Sequence, residues 1–537
     1  MTEDGSSAAP RRWKPIRLST TPLEEAVGGP NVASTGGDVA ESLVEHEVVA
    51  ARVRPMLRTA GALLSVQGLT WLTSLATILL VPRLLGVDRL GTFATLSTVA
   101  GLLSLVAGLG TTNHLVREVA RDPANSANLV AHVVVVRLAI WLAFTAAAVV
   151  FTITILQDQY LLGLVVVSLL STGLGLVSGT LMAALQGNQT LGRAAIFGAV
   201  LAVFGQTVAL VVLARGGGIL ALYVAGLCFS IVGCAVVASI FWQRLMGPIH
   251  FSRTTWKLVV AGGVPFLAWE LALQIYGASD YIMLAALTDS RTVGAYSFAY
   301  RIAGIPIFVA TIITASVFAS LATSAANDAR WFRTVLTLAT RTTLVCTLPM
   351  AVGIAVLAPE ITRSIGGQSF GASTPLLIIL AFHIPLAATH TILGTSLFAM
   401  DRQKVMVIVG WIAAVFNVLL NAVAIPLSVH FWSNGAIGSS VCTLATECFM
   451  GLWIWRAVGA RLDRRAVIFA GARSLVACAG MGVAVRLLVP IVGFPIVVPL
   501  GAMIYIALAV QLRVVSIASL RELLSHARLA GGPKPVT

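Results

Sequence analysis

Residues 293–306 read VGAYSFAYRIAGIP and place one arginine, Arg301, inside an otherwise apolar run of helical length. A charge buried in hydrocarbon costs roughly 2.5–3.5 kcal/mol even on the mildest insertion scale. Intramembrane charges therefore usually face a cavity and pair with one another. The stretch predicts a transmembrane helix in which the rest of the fold supplies polar surroundings for Arg301.

The composition of the whole chain also predicts a membrane protein. Of its 537 residues, 58% are hydrophobic and 10% are charged, which leaves too little polar surface to cover a water-soluble globule. Apolar runs of about 20 residues recur, each long enough to cross roughly 30 Å of hydrocarbon. They lack the period-2 alternation of a barrel, so we expect helices. Fourteen spans are predicted at 60–81, 90–111, 133–156, 161–185, 194–214, 219–241, 260–286, 293–320, 336–358, 375–399, 405–427, 435–455, 467–489 and 494–513.

The basic residues are distributed unevenly between the two sides of these spans. The formal net charge is +14, yet 28 of the 35 Lys and Arg residues fall in segments that alternate crossing assigns to one side. Six fall on the other side, and Arg301 is the remaining one. This asymmetry fits the positive-inside rule with both termini in the cytoplasm. The charge therefore indicates topology and not a nucleic-acid partner, and we expect a multi-pass protein of a bacterial plasma membrane.

A short internal repeat predicts two lobes. LGTFATLSTVAG (90–101) aligns with VGAYSFAYRIAG (293–304) at an offset of 203 residues, so that Gly91 matches Gly294. Because six helices separate the repeats, both halves share one orientation and are related by an axis along the membrane normal, with a site between them. The predicted fold is all-α, with about 14 transmembrane helices in two pseudo-symmetric six-helix lobes plus two extra C-terminal helices. Its parts are a disordered cytoplasmic tail at 1–56, an N-terminal lobe at 57–250, a C-terminal lobe at 251–456, helices 13 and 14 at 457–514, and a cytoplasmic tail at 515–537.

Depth in the membrane brings a few polar side chains level with Arg301. Arg301 lies about eight residues into its helix, roughly 12 Å at 1.5 Å per residue. Asp280 lies about seven residues, roughly 10 Å, from the end of the preceding antiparallel helix, and His383 enters the tenth helix at a comparable level. Two interpretations are open. An Asp280–Arg301 ion pair would only brace the hairpin, whereas an anion site would let the guanidinium offer its planar donor fork to phosphate.

Acids and amides inside other spans are further candidates. Glu270 and Gln274 share a face of the seventh helix, and the repeat aligns Glu270 with Gln67 of the first. Glu447, in the twelfth helix, and Asp280 are candidates for titration with a coupling ion, and packing beside a hydrogen-bond partner is an equal alternative. The candidate substrate-binding residues are Arg301, Asp280, Gln274, Glu270, His383 and Gln67.

Three other polar features have simpler explanations. Asn417 and Asn421 share a face of the eleventh helix, and His383 and His390 lie two turns apart on the tenth. We expect interhelical hydrogen bonds from these amides and imidazoles. Arg137 lies near a helix end and is predicted to snorkel to the interface.

Nothing in the sequence points to catalysis or to a metal. The six cysteines fall in apolar spans without metal-ligand spacing. A glycosyltransferase or glycan polymerase needs an acid/base pair or metal-holding carboxylates in a sizeable loop, but the longest outer loop, 359–373, holds the single acid Glu360. We therefore expect a transporter without a cofactor and not an enzyme. A non-transporting scaffold is the alternative if side chains fill the cavity.

Two stretches resemble a known family. ILLVPRLLGVDRLGTFATLSTVAGLLSLVAGLG (78–110) is similar to the opening hairpin of polysaccharide-transport, O-antigen-type flippases, and DYIMLAALTDSRTVGAYSFAYRIAGIP (280–306) resembles their helix 7–8 hairpin. These proteins belong to the multidrug/oligosaccharidyl-lipid/polysaccharide (MOP) exporter superfamily. Its lipid II flippases carry a similar aromatic-x-Ala-x-Arg stretch that ends in Pro. In helix plan the resemblance covers most of residues 57–510.

The resemblance implies a two-lobed cavity that holds the diphosphate head of a polyprenyl-linked oligosaccharide. Arg301 matches the arginine that contacts the diphosphate region in the lipid II relatives. Those relatives also carry arginines inside the first helix, where this chain offers only uncharged side chains: Gln67, Thr70, Trp71, Thr73, Ser74 and Thr77. The departure favours a surface-glycan intermediate over a peptidoglycan precursor.

We therefore expect a flippase that turns a lipid-linked glycan from the inner to the outer leaflet. Membrane lipid and glycan-assembly membrane proteins are the expected partners. The alternatives are a cation-coupled multidrug antiporter of the same superfamily and a lipid II flippase. An antiporter predicts a cavity dominated by acids, whereas Arg301 offsets one of the few acidic candidates. The membrane potential, sodium and protons are alternative driving forces.

Overall fold

The structure, a computed structural model, describes residues 68–188, 191–245 and 247–514. The predicted tails at 1–56 and 515–537 and the candidate Gln67 lie outside these ranges. The first half holds α1 (Gly68–Leu85), α2 (Val87–Gly108), α3 (Thr111–Arg121), α4 (Ser126–Phe151), α5 (Gln159–Gly187), α6 (Leu191–Ala214) and α7 (Ile219–Leu245). The second half holds α8 (Arg253–Leu287), α9 (Ser290–Gly304), α10 (Ile307–Asn327), α11 (Ala329–Val356), α12 (Ala358–Ile361), α13 (Ser373–Ala381), α14 (His383–Ala399), α15 (Gln403–Trp432), α16 (Gly435–Val458), α17 (Arg464–Val492) and α18 (Phe494–Gln511).

In the described part of the chain, 13 helical segments are long and apolar enough to cross a membrane. A fourteenth, α8, passes the same test as two pieces, Arg253–Val264 and Phe266–Leu287, bent by 45°. The sequence has a proline between the pieces, and a proline removes an intrahelical hydrogen bond. Each predicted span overlaps one of these segments, and residues 60–67 of the first span lie outside the described ranges. The predicted all-helical membrane fold is therefore confirmed.

Two local features were absent from the sequence prediction. The 11-residue helix α3 is amphipathic and too short to be found by a search for 20-residue apolar runs; it buries Leu115 and Val119. The predicted eighth span is divided into α9 and α10 at Ile305 and Pro306, because Pro306 has no amide hydrogen to donate. Helix α9 therefore ends at Gly304, three residues after Arg301.

The repeat-related glycines Gly91 and Gly294 pack directly against each other where α2 crosses α9. A Cβ built on Gly91 would collide with the carbonyl oxygen of Ser290, and one built on Gly294 would collide with that of Val87. Val87 and Ser290 are themselves separated by the offset of 203 residues, so the two contacts are related by exchange of the halves. The repeat therefore corresponds to a pair of equivalent contacts between the two halves.

Helix α9 lies at the centre of the packing. All seven residues from Val293 to Ala299 are buried, so the helix has neighbours on every side. The rings of Phe298 and Phe370 lie 4.8 Å apart, and Ser373 Oγ donates to the carbonyl of Ala295 at 2.9 Å. This position explains why a helix holding an arginine lacks a polar face.

The far end of α2 also packs against the second half of the chain. Leu109 and Gly110 have positive φ values of 50° and 61° and turn the chain from α2 into α3. A Cβ on Gly263 of α8 would collide with the carbonyl oxygen of Leu109. A Cβ on Gly262 would collide with the ring of His114. The two halves therefore meet at both ends of α2.

Candidate functional site

Asp280 of α8 is 3% exposed and accepts hydrogen bonds from three uncharged side chains. Its Oδ2 accepts from the Tyr296 hydroxyl at 2.6 Å and from Thr443 Oγ1 at 2.8 Å, and its Oδ1 accepts from Asn421 Nδ2 at 2.7 Å. The donors come from α9, α16 and α15. These bonds offset the cost of burying a polar group, so the carboxylate ties four helices of the second half together.

Asn417 extends this network by one helical turn. Its Oδ1 accepts from Ser279 Oγ at 2.6 Å and from Asn421 Nδ2 at 3.0 Å, and its Nδ2 donates to Thr446 Oγ1 at 3.4 Å. The interhelical hydrogen bonds expected for Asn417 and Asn421 are therefore confirmed.

Glu447 of α16 is the centre of a second buried cluster. Its Oε1 accepts from the Tyr276 hydroxyl at 2.7 Å and lies 3.5 Å from His383 Nδ1. Its Oε2 lies 2.5 Å from His390 Nδ1, and the His383 ring lies 6.0 Å from the Tyr300 ring. One carboxylate and two imidazoles therefore share one buried site inside the second half of the chain.

Arg301 belongs to neither cluster. Its Nε donates to Ser297 Oγ at 3.2 Å, and its guanidinium carbon lies 5.9 Å above the centre of the Phe93 ring. Phe93 is on α2, in the first half of the chain, so the half-buried Arg301 faces the interface between the halves. Since the Asp280 carboxylate is occupied by uncharged donors, the structure contains no Asp280–Arg301 ion pair, and the hairpin-brace interpretation is wrong.

Five of the six predicted substrate residues are described by the structure and divide into groups, and the sixth, Gln67, lies outside the described ranges. Gln274 faces α2, because a Cβ on Gly101 would lie 3.7 Å from its Nε2, and it lines the interface that Arg301 faces. Asp280 and His383 are buried inside the second half. Glu270 is half-buried on α8.

Arg137 does not snorkel as predicted. It is 4% exposed on α4. It donates to Thr111 Oγ1 at 2.7 and 3.0 Å, to Thr112 Oγ1 at 2.8 Å and to Thr180 Oγ1 at 2.8 Å. Helix α3 places Thr111 and Thr112 beside α4, and because sequence reasoning missed α3 it also missed these partners.

The sequence reasoning did not single out Tyr276, Tyr296 or Thr443, which complete the two clusters. Tyr276 lies four residues before Asp280 on α8 and Thr443 lies four residues before Glu447 on α16. Each nevertheless bonds to the acid on the other helix, so spacing along one helix indicates their level in the membrane and not their partner. Among the described residues, no group of three or more His, Cys, Asp or Glu side chains has the arrangement to hold a metal ion.

Comparison with known proteins gives a family match. The model of a family described as "Polysaccharide biosynthesis protein" matches residues 80–375, more than half of the chain.

Two curated relatives come from Haloferax volcanii. The "Probable low-salt glycan biosynthesis flippase Agl15" is 25% identical over 194 residues, 36% of this chain and 38% of the relative. The "Probable flippase AglR" is 23% identical over 265 residues, 48% of this chain and 53% of the relative. The matches thus span about half of these relatives or less.

Solved structures share the fold. The "Lipid II flippase MurJ, inward closed conformation" matches with a TM-score of 0.67 at 15% identity, over 84% of this chain and 98% of that one. The inward-facing conformation of a multidrug resistance MATE family transporter of the MOP superfamily matches with a TM-score of 0.60 at 17% identity, over 73% and 95%. At these identities the likeness establishes the fold alone.

Proposed function

The chain belongs to the polysaccharide biosynthesis protein family, as its two quoted hairpins predicted, and on this premise we propose that it is a flippase for a polyprenyl-diphosphate-linked glycan precursor. The polar head would pass from the cytoplasmic to the outer leaflet while the polyprenyl tail stays in lipid. No covalent bond is made or broken. The protein lowers the cost of crossing roughly 30 Å of hydrocarbon by supplying polar partners along the path.

The observation that carries this proposal is the position of Arg301 and its lack of a charged partner among the described residues. Its guanidinium faces the interface between the halves, and none of the described carboxylates forms an ion pair with it. Its Nε donates to Ser297, and its two Nη atoms form no hydrogen bond within the described residues. Arginine binds phosphate through parallel N–H donors, so a diphosphate is the ligand that this side chain suits. Gln274 and Glu270 would meet sugar hydroxyls on the same interface.

An apolar cavity of about 780 Å³ begins beside the same helix and supports the lipid part of the proposal. Its wall includes Ile302 and Ile305, which follow Arg301, and its far side is formed by α17 and α18. The lining is almost entirely hydrocarbon side chains. A polyprenyl chain would lie here with its diphosphate close to Arg301.

A multidrug antiporter is the second candidate, and the acids argue against it. Such a carrier would present carboxylates to a cationic drug in an open cavity. Asp280 and Glu447 are each 3% exposed and engaged by protein donors. Arg301 at the interface would repel a cation.

The proposal is tested first by locating the glycan intermediate in the membrane. In cells depleted of the protein, lipid-linked glycan should accumulate in the inner leaflet and become accessible to an outer-leaflet glycan probe only after the wild-type gene is restored. Unchanged outer-leaflet accessibility after depletion would contradict the flippase proposal and favour the antiporter. Drug efflux is measured in the same cells, so that the flippase and antiporter proposals are compared directly.

We propose further that the Glu447 cluster couples transport to protons. Histidine side chains change charge near neutral pH, and Glu447 contacts two of them. Tyr276, Tyr300 and Asp280 are the other titratable groups that act on the cluster. Proton binding would change the net charge inside the second half of the protein, and with it the balance between inward and outward states.

Glu447→Gln is expected to reduce stimulation of flipping by an imposed proton gradient about fivefold or more, the lower range of typical coupling factors. Glutamine keeps the size of the side chain but cannot take up the proton. The measurement is flipping in proteoliposomes with and without a pH gradient. Glu360→Gln, which removes a carboxylate of the short helix α12 that is paired with Arg486 at 3.3 Å, is the control. Gradient dependence that survives in Glu447→Gln and disappears in Asp280→Asn would assign coupling to Asp280 instead.

A further inference from the structure

A second pocket lies at the opposite end of the second half from the predicted outer loops. It has a volume of about 530 Å³ and opens between the start of α15 and the end of α16. Its lining combines two arginines with a hydrophobic wall: Arg402, Val405, Phe449, Leu452, Trp453, Arg456 and Ala457. We call it the arginine pocket.

The arginine pocket carries uncompensated positive charge. Arg402 and Arg456 are exposed and form no ion pair with any described carboxylate. Arg402 Nη1 donates to the carbonyl oxygen of Ala457 at 2.6 Å, which holds the guanidinium at the pocket and leaves its other N–H groups free of described partners. Asp463, an acid near the end of α16, is already paired with Arg333 at 3.6 Å. Basic residues therefore dominate this surface, although Asp401 precedes Arg402.

The hydrophobic wall of the pocket has the character of a membrane interface. The ring of Phe449 stacks on Phe416 at 5.0 Å and meets Trp453 edge-on at 5.8 Å. Leu452 is 53% exposed and Trp453 is 39% exposed. Amphipathic aromatic rings concentrate at the level of lipid headgroups, so the pocket places its charges where phosphates of the bilayer lie.

We propose that the arginine pocket binds the headgroup of an anionic phospholipid, in the leaflet that the positive-inside rule assigns to the cytoplasm. The guanidinium forks of Arg402 and Arg456 hold the phosphate, and the acyl chains lie along Leu452 and Trp453. Basic pockets between transmembrane helices on this side are suited to such headgroups. This inference stands apart from the proposed function, because the pocket shares no residue with the surroundings of Arg301 and needs no glycan.

The test is retention of lipid by the purified full-length protein. The protein is reconstituted in nanodiscs of equimolar phosphatidylglycerol and phosphatidylcholine, extracted into detergent, and analysed by native mass spectrometry. Wild type should retain phosphatidylglycerol in preference to phosphatidylcholine, and Arg402→Gln/Arg456→Gln should retain about tenfold less of it. The matched control, Arg253→Gln/Lys257→Gln, removes two exposed charges at the start of α8 on the same predicted side and should retain lipid like wild type.

Salt provides a measurement that does not depend on a variant folding. Retention of phosphatidylglycerol by wild type should fall between about 0.1 and 1 M salt, where the Debye length shrinks from about 10 to 3 Å.

Equal retention by the pocket and control variants, or equal retention of both lipids by wild type, would overturn the proposal. Displacement by inorganic phosphate alone would assign the pocket to a soluble anion. Stronger retention of undecaprenyl diphosphate than of phosphatidylglycerol would assign it to the substrate.

Discussion

Arg301→Ala is expected to lower the rate of glycan flipping by about 10- to 100-fold. A hydrogen bond to a charged group contributes about 1.5–3 kcal/mol, and each 1.4 kcal/mol is a factor of ten. Arg301→Lys keeps the charge but loses the planar fork, so we expect a smaller loss. The measurement is leaflet-resolved accessibility of the lipid-linked glycan in depleted cells complemented with each variant, supported by flipping in proteoliposomes.

Arg291→Ala is the matched control for this experiment. Arg291 lies on the same helix, α9, in its first turn, and is exposed. Its removal changes the net charge equally but leaves the interface intact, so flipping should remain at the wild-type rate. Full rescue of depleted cells by Arg301→Ala, with normal protein levels, would remove Arg301 from the substrate site while leaving the flippase proposal to be judged by the depletion experiment itself.

Gly294→Val is expected to disrupt the crossing of α2 and α9 and to reduce flipping at least about fivefold. A Cβ at this position would meet the carbonyl oxygen of Val87, which is backbone and cannot rotate away. Overpacking costs typically 1–3 kcal/mol, enough to shift a balance between closed and separated helices about 5- to 150-fold. The measurement is the distance between spin labels on the first turns of α2 and α9, with and without the substitution. Gly91→Val should give the same change, because the two contacts are related by the repeat.

Gly304→Ala is the control for the glycine crossing. Gly304 ends the same helix, and a Cβ built there meets nothing within 4 Å. Label distance and transport should match wild type. If Gly294→Val leaves the label distance unchanged, the crossing is not the contact that holds α2 against α9. A loss of transport in both Gly294→Val and Gly304→Ala would indicate a general effect of altering α9.

The sequence indicated which polar residues lie within the membrane spans better than it indicated which of them are in contact. Arg301 and Asp280 have similar depths, and an ion pair between them was a reasonable interpretation of depth alone. Depth is set by the rise per residue, whereas contact also depends on helix rotation. The structure turns Asp280 toward Tyr296, Thr443 and Asn421 and turns Arg301 toward Phe93. The hydrogen-bond partners of Asp280 and Arg301 could therefore not be predicted from their positions along the chain.

Arg137 shows a related failure. Its place near a helix end predicted snorkelling, but three of its four hydrogen bonds go to Thr111 and Thr112 of α3, an amphipathic helix shorter than any membrane span, and the fourth goes to Thr180 of α5. A search for apolar runs of about 20 residues cannot detect a helix of this length and composition. The turn at Leu109 and Gly110 brings α3 beside α4. Only this tertiary contact places the hydroxyls of Thr111 and Thr112 where they accept hydrogen bonds from Arg137.

The sequence by itself determined the all-helical membrane fold, the family and the two-fold relation between Gly91 and Gly294. These follow from the length of apolar runs, from two hairpin patterns and from one repeat, all of which are local in the chain. The tertiary structure alone decided that Glu447 gathers His383 and His390, that Asp280 is satisfied by uncharged donors, and that Arg301 faces the other half. These depend on helix rotation and on contacts between different helices, such as the hydrogen bond between Asn421 and Asp280, which are 141 positions apart. Helix rotation in a membrane is set by packing against neighbouring helices, which a single span does not encode.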